Sequence, residues 1–399
     1  MRYVLLLLIS LNFAYGAKVV EVGERFEDSK KCKSCHLRVV NEWEESWHSK
    51  SHYENDEYFK ASIDYVSQKT RKSLNGVKVQ CATCHNSRIS VTSTGSDYEI
   101  ASIMGLAKGS KVDKAVNSDN ISEGVNCVVC HNIDKIHNEY DDSKLGINRV
   151  EWTESGAMTG PYKDAFSPYH KTISHEFMNE KPNDLCFVCH ANDRSVKGLV
   201  FSDMKNEYQD EKKSCVECHM GPQRKGIAAS YRTNEGKTVE RMVRSHGFAG
   251  AHIDSLWKGA LKLELSQKDD NVLIEISNPQ AHNIPSGFGS REIVVDVVSK
   301  NGDAVLETKS ISLTRYYTRR NGKPTIAHLA EEESKDLSIP ANGKKILKVP
   351  TLHGTTAVEV TLSYRLVNDE VISLLKLKDL IWSEKKYIAK ESLKVKSSF

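Results

Sequence analysis

The sequence predicts a multidomain protein: a mostly α-helical and irregular domain with little regular core over residues 17–254, then a β-sandwich-like domain over residues 255–399. Three observations carry this. One five-residue word, Cys-x-x-Cys-His, recurs five times between Cys32 and His219 and uses all ten cysteines. The chain around these words is polar, with few long periodic segments. From about Ser255 it changes to runs of alternating apolar residues punctuated by Asn-Gly pairs, the pattern of strands and tight turns.

With 399 residues, 39% hydrophobic and 27% charged, the chain has room for two or three domains of ~150 residues and no bias toward disorder. Residues 1–16 have the form of a secretory signal: Arg2, the apolar run from Val4 to Phe13, and small residues in Ala14-Tyr15-Gly16. The mature start is expected near Ala17 and the location is expected to be the periplasm, with the cell surface or secretion as alternatives. The apolar run is shorter than the ~20 residues needed to cross a bilayer, and no later segment is long and apolar enough, so no stable membrane span is expected. No cysteine precedes Cys32 to carry a lipid. The net charge of +3 comes from scattered basic residues, which argues against nucleic acid as a partner.

The words are Cys32-Lys33-Ser34-Cys35-His36, Cys81-Ala82-Thr83-Cys84-His85, Cys127-Val128-Val129-Cys130-His131, Cys186-Phe187-Val188-Cys189-His190 and Cys215-Val216-Glu217-Cys218-His219. Cys-x-x-Cys-His attaches c-type haem: the thiols add to the porphyrin vinyl groups and the imidazole binds iron from the proximal side. Disulfides and zinc explain paired cysteines but give no reason for histidine after every second one. Five copies behind an export signal predict five covalently bound haem c groups, with Cys32, Cys35, Cys81, Cys84, Cys127, Cys130, Cys186, Cys189, Cys215 and Cys218 as attachment points. His36, His85, His131, His190 and His219 are then the proximal iron ligands. Propionates would make the loaded protein more acidic than its sequence. The macrocycles would replace a conventional core, so the form without haem is expected to be unfolded.

In chain order, Lys18 to Lys31 is polar and reads as a loose lead-in. Glu42 to His52 reads as helical, with Trp43 and Trp47, and His48 and His52, each spaced i, i+4. Between His85 and Cys127 the expectation is loops and short helices. Strands are expected at Leu261–Leu265, Val272–Ile276, Ile293–Val298 and Val358–Leu362, with turns at Asn301-Gly302, Asn321-Gly322 and Asn342-Gly343. A last helix is expected from Glu370 to about Lys386.

Fifteen histidines less five proximal ones leave ten: His48, His52, His137, His170, His175, His246, His252, His282, His328 and His353. Bis-histidine ligation of every iron needs five of them. Methionine is the other common axial ligand and raises the potential. Met220 follows a haem word directly, which ties it to the proximal side, so histidine ligation and low potentials are expected.

The order of local patterns resembles the superfamily of multihaem cytochromes related to the tetrahaem partner of hydroxylamine oxidoreductase, particularly members with a C-terminal β-domain. The matching residues are Trp43, Ser46 and His48; Gly124-Val125-Asn126-Cys127; Gly160-Pro161-Tyr162 and Ser167-Pro168-Tyr169-His170; Cys218-His219-Met220; and His246-Gly247-Phe248-Ala249-Gly250. Ala281-His282-Asn283-Ile284-Pro285-Ser286-Gly287 matches a pattern at the start of the β-domain, departing from it at Ala281 and Ser286. The resemblance covers most of Cys32 to Arg291 and implies His48, His170, His246 and His282 as distal ligands. The fifth stays open: His137 and His175 lead, His252 and His52 follow, and His328 and His353 are expected to be structural or solvated. If His282 binds iron it ties the β-domain to the haem domain, and Arg291 could reach a propionate.

Five haems held within Cys32 to His219 are forced close together, so electrons should hop along the chain. The expected function is electron transfer from a membrane quinol-oxidising cytochrome or a soluble donor to a terminal reductase or an extracellular acceptor. A first alternative is an oxidoreductase in which one five-coordinate haem acts on a small nitrogen or sulfur compound. Lys163, Lys171 and Tyr169 would be its available proton donors. A second alternative is a haem-conducting subunit of a larger assembly, and an oligomer is compatible with the sequence.

Overall fold

The computed structural model describes residues 28–138, 144–210, 212–232 and 238–396. The expected export signal, residues 1–16, and the start near Ala17 lie outside them. The last part of the chain forms eight strands: β1 (Lys262–Lys268), β2 (Asn271–Ser277), β3 (Glu292–Asn301), β4 (Ala304–Thr318), β5 (Glu332–Asp336), β6 (Lys344–Pro350), β7 (Ala357–Arg365) and β8 (Lys386–Lys394). They pair antiparallel in two sheets, ordered β6-β2-β1 and β5-β4-β3-β7-β8.

Alternation decides which side chains meet between the sheets. Val272, Ile274 and Ile276 of β2 face inward with Ile293, Val295 and Val297 of β3 and Val358, Val360, Leu362 and Tyr364 of β7, each at most 2% exposed. Register keeps the aliphatic residues together, with Val295 opposite both Ile311 and Leu362. All four expected strands are present. Asn301-Gly302 turns β3 into β4, with Gly302 at φ 55°.

The expected C-terminal helix is much shorter than predicted. It runs from Asp369 to Leu375 and stops at Lys376, which takes a left-handed φ of 57°. Beyond it, the Glu57 carboxylate accepts hydrogen bonds from the backbone N–H groups of Lys378 and Asp379 and from Trp382 Nε1. Those donors are lost to a helix, and the chain goes on as edge strand β8 instead. A tertiary anchor 321 residues away in sequence overrode the apolar periodicity.

The first part of the chain is built of short helices, chiefly Leu37–Glu44, Glu57–Thr70, Leu74–Ala82, Ser96–Ile103, Lys111–Val116 and Pro182–His190. The expected helix from Glu42 to His52 ends at Glu44. Ser46 Oγ donates to Trp43 O (2.7 Å) and Ser49 Oγ donates to Glu44 O and Ser46 O, so side-chain hydroxyls take carbonyls that a helix needs. The two tryptophans therefore part company: Trp43 Nε1 donates to Val125 O and Trp47 Nε1 to Asp56.

This part also has more apolar core than its composition suggested. Phe59, Ile63 and Val66 of one helix and Val77 of the next belong to the same apolar cluster as the strands, together with Trp257. A second cluster joins Val79, Ala82, Ile89, Tyr98, Val112 and Ile121. The parts expected to meet at residues 254 and 255 thus share a continuous core.

Trp257 is the hinge of that sharing: it is 9% exposed, stacks on Tyr364 at 3.8 Å and 9°, and donates from Nε1 to Ala251 O. Trp257→Ala is expected to cost about 3–5 kcal/mol of stability by removing buried area and leaving a cavity, measurable by chemical denaturation.

Candidate haem-binding sites

Each word sits on a helical turn, so its cysteines at i and i+3 and its histidine at i+4 share one side. In the first two words the His36 and His85 N–H groups donate to Cys32 O and Cys81 O. Cys127–His131 and Cys215–His219 are helices of their own, the latter capped by Ser214 and Glu217 in a reciprocal box. No two of the ten cysteines are joined in a disulfide.

Four of the five histidines that end the words have their rings oriented by a hydrogen bond on Nδ1. His36 Nδ1 meets Ala228 O at 2.8 Å, His131 Nδ1 meets Thr159 O at 2.6 Å and His219 Nδ1 meets Ala249 O at 2.6 Å. His85 Nδ1 meets Ser51 Oγ at 3.0 Å. A backbone carbonyl on Nδ1 fixes the proton there and leaves the Nε2 lone pair for a metal. These carbonyl partners were not foreseeable, because a backbone acceptor has no residue-type signature.

The decisive geometry is the spacing of histidine rings. His131 and His246 have centroids 6.3 Å apart with planes at 27°, His219 and His282 are 6.4 Å apart at 24°, and His48 and His190 are 6.3 Å apart at 52°. Two imidazoles bound on opposite sides of one metal by ~2 Å bonds have centroids about 6 Å apart. The three pairs have the separation that two imidazoles sharing one metal would have. Three of the four distal candidates named from the resemblance, His48, His246 and His282, stand opposite the fourth, third and fifth words.

Burial favours the neutral form of most of the buried histidines. It pushes His48 and His85 down to about 3 and His190, His246 and His328 down to about 4, and it lowers His131 and His282 as well. A neutral imidazole is the form that ligates.

The remaining candidates separate clearly. His170 acts electrostatically on His131, as His36 does, and its Nδ1 lies 3.1 Å from Lys171 O. His137 Nε2 is 2.6 Å from the Glu151 carboxylate and His175 Nε2 is 3.1 Å from Asp134. Both leading candidates for the fifth ligand thus spend Nε2 on carboxylates, and neither makes a ring contact with a proximal histidine among the described residues. His252 packs on Trp47 at 4.9 Å, and His52 Nδ1 accepts from Glu54 N. His353 is exposed, as expected.

His328 departs from expectation. Its ring lies edge-on to Phe201 at 4.8 Å, Nδ1 is buried without a partner, and it is the foremost histidine acting electrostatically on His85. A position deep among strands hid this from sequence spacing, because residue 328 is brought within electrostatic range of residue 85 only by the fold.

Neighbouring thiols give the order of the words. Cys32 lies close enough to Cys127, Cys189 to Cys84, and Cys186 to Cys215 for each pair to influence one another's ionisation, and Cys130 is close enough to influence both Cys186 and Cys189. The first word therefore adjoins the third, the third adjoins the fourth, and the fourth adjoins the second and the fifth. The fourth word is a junction. Arg291 packs over Phe288 at 4.5 Å, donates to Ser286 O, acts electrostatically on His190 and His282, and keeps a buried Nε without a partner.

Gly124 locks two words together. At φ +63° its Cα faces the loop carrying His48, and a Cβ there would lie 2.5 Å from His48 O. The adjacent Val125 N donates to that same carbonyl at 3.0 Å. Gly124→Ala is expected to displace His48, weaken ligation at the fourth word and cost about 1–3 kcal/mol, read from the low-spin haem signal and a denaturation curve.

No family model matches the chain, and no curated protein matches it. Among solved structures, it is similar to a penta-heme cytochrome c552 from Thermochromatium tepidum, with a TM-score of 0.68 and 17% sequence identity, covering 92% of this chain and 98% of that one. A further alignment, to the structural-genomics target SoR45, covers 34% of this chain at a TM-score of 0.15, too weak to bear on the fold. The likeness to the cytochrome is one of fold, and it extends through both the short-helix part and the strands. Among the described residues no helix is long and apolar enough to cross a membrane.

Proposed function

We propose that this chain is an exported pentahaem c-type cytochrome whose role is to carry electrons. The observation that carries this is the set of three histidine pairs at 6.3 to 6.4 Å, each uniting a Cys-x-x-Cys-His histidine with one from elsewhere in the chain. Covalent haem c supplies a one-electron iron centre at each word. The protein's own work is to hold each iron from both sides, bury it and set its neighbours. Two neutral imidazoles per iron occupy the positions a substrate would need, which suits transfer rather than turnover. His170 is the proposed partner of the first word, on the resemblance and because it and His36 both lie near His131.

The thiol neighbours support a path that runs from the first word to the third and fourth and then divides toward the second and fifth. A membrane quinol-oxidising cytochrome or soluble donor would feed one end, and a terminal reductase or extracellular acceptor would drain another. Arg291 is proposed to pair with a propionate near the fourth and fifth words, where its orphaned Nε would find an acceptor.

One observation favours a second reading. Among the described residues, neither His36 nor His85 makes a ring contact with another histidine at the pairing distance. His85 is instead stacked on Phe59 at 4.1 Å, with buried His328 nearby. A five-coordinate second haem acting on a small nitrogen or sulfur compound would fit there. Lys163, Lys171 and Tyr169, which are all exposed, are less suited to serve it than His328.

Electron paramagnetic resonance of the oxidised, haem-loaded protein tests both readings. Low-spin signals from every haem, with no change on adding cyanide or carbon monoxide to the oxidised and reduced forms, support transfer alone. A high-spin signal together with reduction of nitrite, hydroxylamine or sulfite by a reduced viologen would replace it with the second reading. A mass spectrum without added haem would sink both.

A further inference from the structure

We propose that the tip at Ile103–Leu106 docks this protein on an anionic membrane surface. Helix Ser96–Ile103 buries Tyr98 and Ala101 at 1% and 8% exposure, and Ala107 beyond it at 8%. Its other side is apolar too: Ile100 is 59% exposed, Ile103 78%, Met104 65% and Leu106 63%. Four large aliphatic side chains exposed within seven residues form a patch of the kind that marks an interaction site.

The backbone makes this patch a projection. Met104 N donates to Ile100 O and Leu106 N to Ala101 O, closing the helix, and Gly105 at φ +72° turns the chain back. A Cβ built on Gly105 would meet nothing within 4 Å.

Charge completes the picture. Lys108, Lys111 and Lys114 follow directly, are exposed, and make no ion pair among the described residues. Two of the nearby carboxylates are held by hydrogen bonds of their own. Asp113 accepts from Gly109 N at 2.8 Å and from Asn117, and Glu99 accepts from Ser73 N at 2.7 Å and from Ser73 Oγ.

A convex aliphatic tip beside unpaired lysines matches a bilayer bearing negative headgroups: the side chains enter the interface and the ammonium groups meet phosphates. An acidic protein would satisfy the lysines but offers no general reason for the projecting tip. Ala107 packs in one cluster with Val79 and Ala82, on the helix that ends in the second haem word. Docking would therefore hold that word on the membrane side. This goes beyond the electron-transfer reading and does not depend on how any iron is coordinated.

The test is co-sedimentation of haem-loaded protein spanning residues 17–399 with vesicles of phosphatidylcholine alone or mixed with phosphatidylglycerol. Binding is expected with the anionic vesicles and is expected to weaken at ~0.5 M salt. Ile103→Ser with Met104→Ser and Leu106→Ser should lower affinity at least about tenfold with the haem spectrum unchanged. Lys108→Glu with Lys111→Glu and Lys114→Glu should lower it by a similar factor. Absence of binding to either vesicle, or equal binding by wild type and both variants, would overturn the proposal. So would a concentration-dependent dimer abolished by the serine variant, or vesicle-free binding to an acidic redox protein through the same residues.

Discussion

His282→Ala is expected to leave the haem of the fifth word without its sixth ligand. In the oxidised protein one low-spin signal should disappear and one high-spin signal appear, with the haem-to-protein ratio unchanged. The ground is geometric. His282 lies 6.4 Å from His219 with the rings at 24°, and each ring is steered by a carbonyl on Nδ1, Asn283 O at 2.9 Å and Ala249 O at 2.6 Å. Its backbone is held as well, because Asn278 Nδ2 donates to His282 O, to Ile339 O and to Pro340 O.

His282 sits between β2 and β3, so an iron bond through it would join the strands to the haem words. Losing a half-buried, fixed side chain there should cost about 1–3 kcal/mol of stability as well. His252→Ala is the control: its ring packs on Trp47 rather than opposite a proximal histidine, and the low-spin count should not move. An unchanged spectrum in His282→Ala would remove His282 from the ligand set and the tie between the two parts with it.

How much of this was legible in the sequence depends on the range of the cause. The words were legible because attachment chemistry is local, confined to five residues. The strands at Val272–Ile276 and Val358–Leu362 were legible because alternation is local as well. The helix expected through Lys386 failed because Glu57 claims the backbone donors of Lys378 and Asp379, an interaction no window around residue 378 contains.

Trp43 and Trp47 failed differently. Ser46 and Ser49 lay in view, but their competition for carbonyls is decided only once the neighbouring indole partners, Val125 and Asp56, are in place. The histidines proposed as distal ligands were legible only as residues near familiar patterns. That His48 belongs opposite the fourth word, not the first word that precedes it, is a product of the fold, as is the approach of His328 to His85.

The largest expected effect concerns folding without haem. Replacing all ten cysteines by serine should unfold the region from Cys127 to His219 while leaving the sandwich folded, as read by hydrogen exchange of backbone amides. That region has little to hold it. Its strands are two- to four-residue pieces such as Ile133–Ile136, Met158–Gly160 and Asp193–Arg194, and fewer apolar side chains are buried there than in the sheets. Without a macrocycle to pack against, the region would pay ordering entropy with little burial in return.

The sandwich has its own interior, with Ile274, Ile293, Val295, Val360 and Leu362 at 0% exposed. The boundary of survival should not fall at residue 254. Phe59, Ile63, Val66 and Val77 share the sandwich cluster, and Glu57 holds the chain at Lys378–Asp379. Slow exchange should therefore persist in Glu57–Thr70 as well as in β2, β3 and β7, and be lost across the third, fourth and fifth words. Uniform loss of protection would show that haem supports the sandwich too. Uniform retention would show that the short helices fold without it, and that the apolar clusters of the first part are sufficient by themselves.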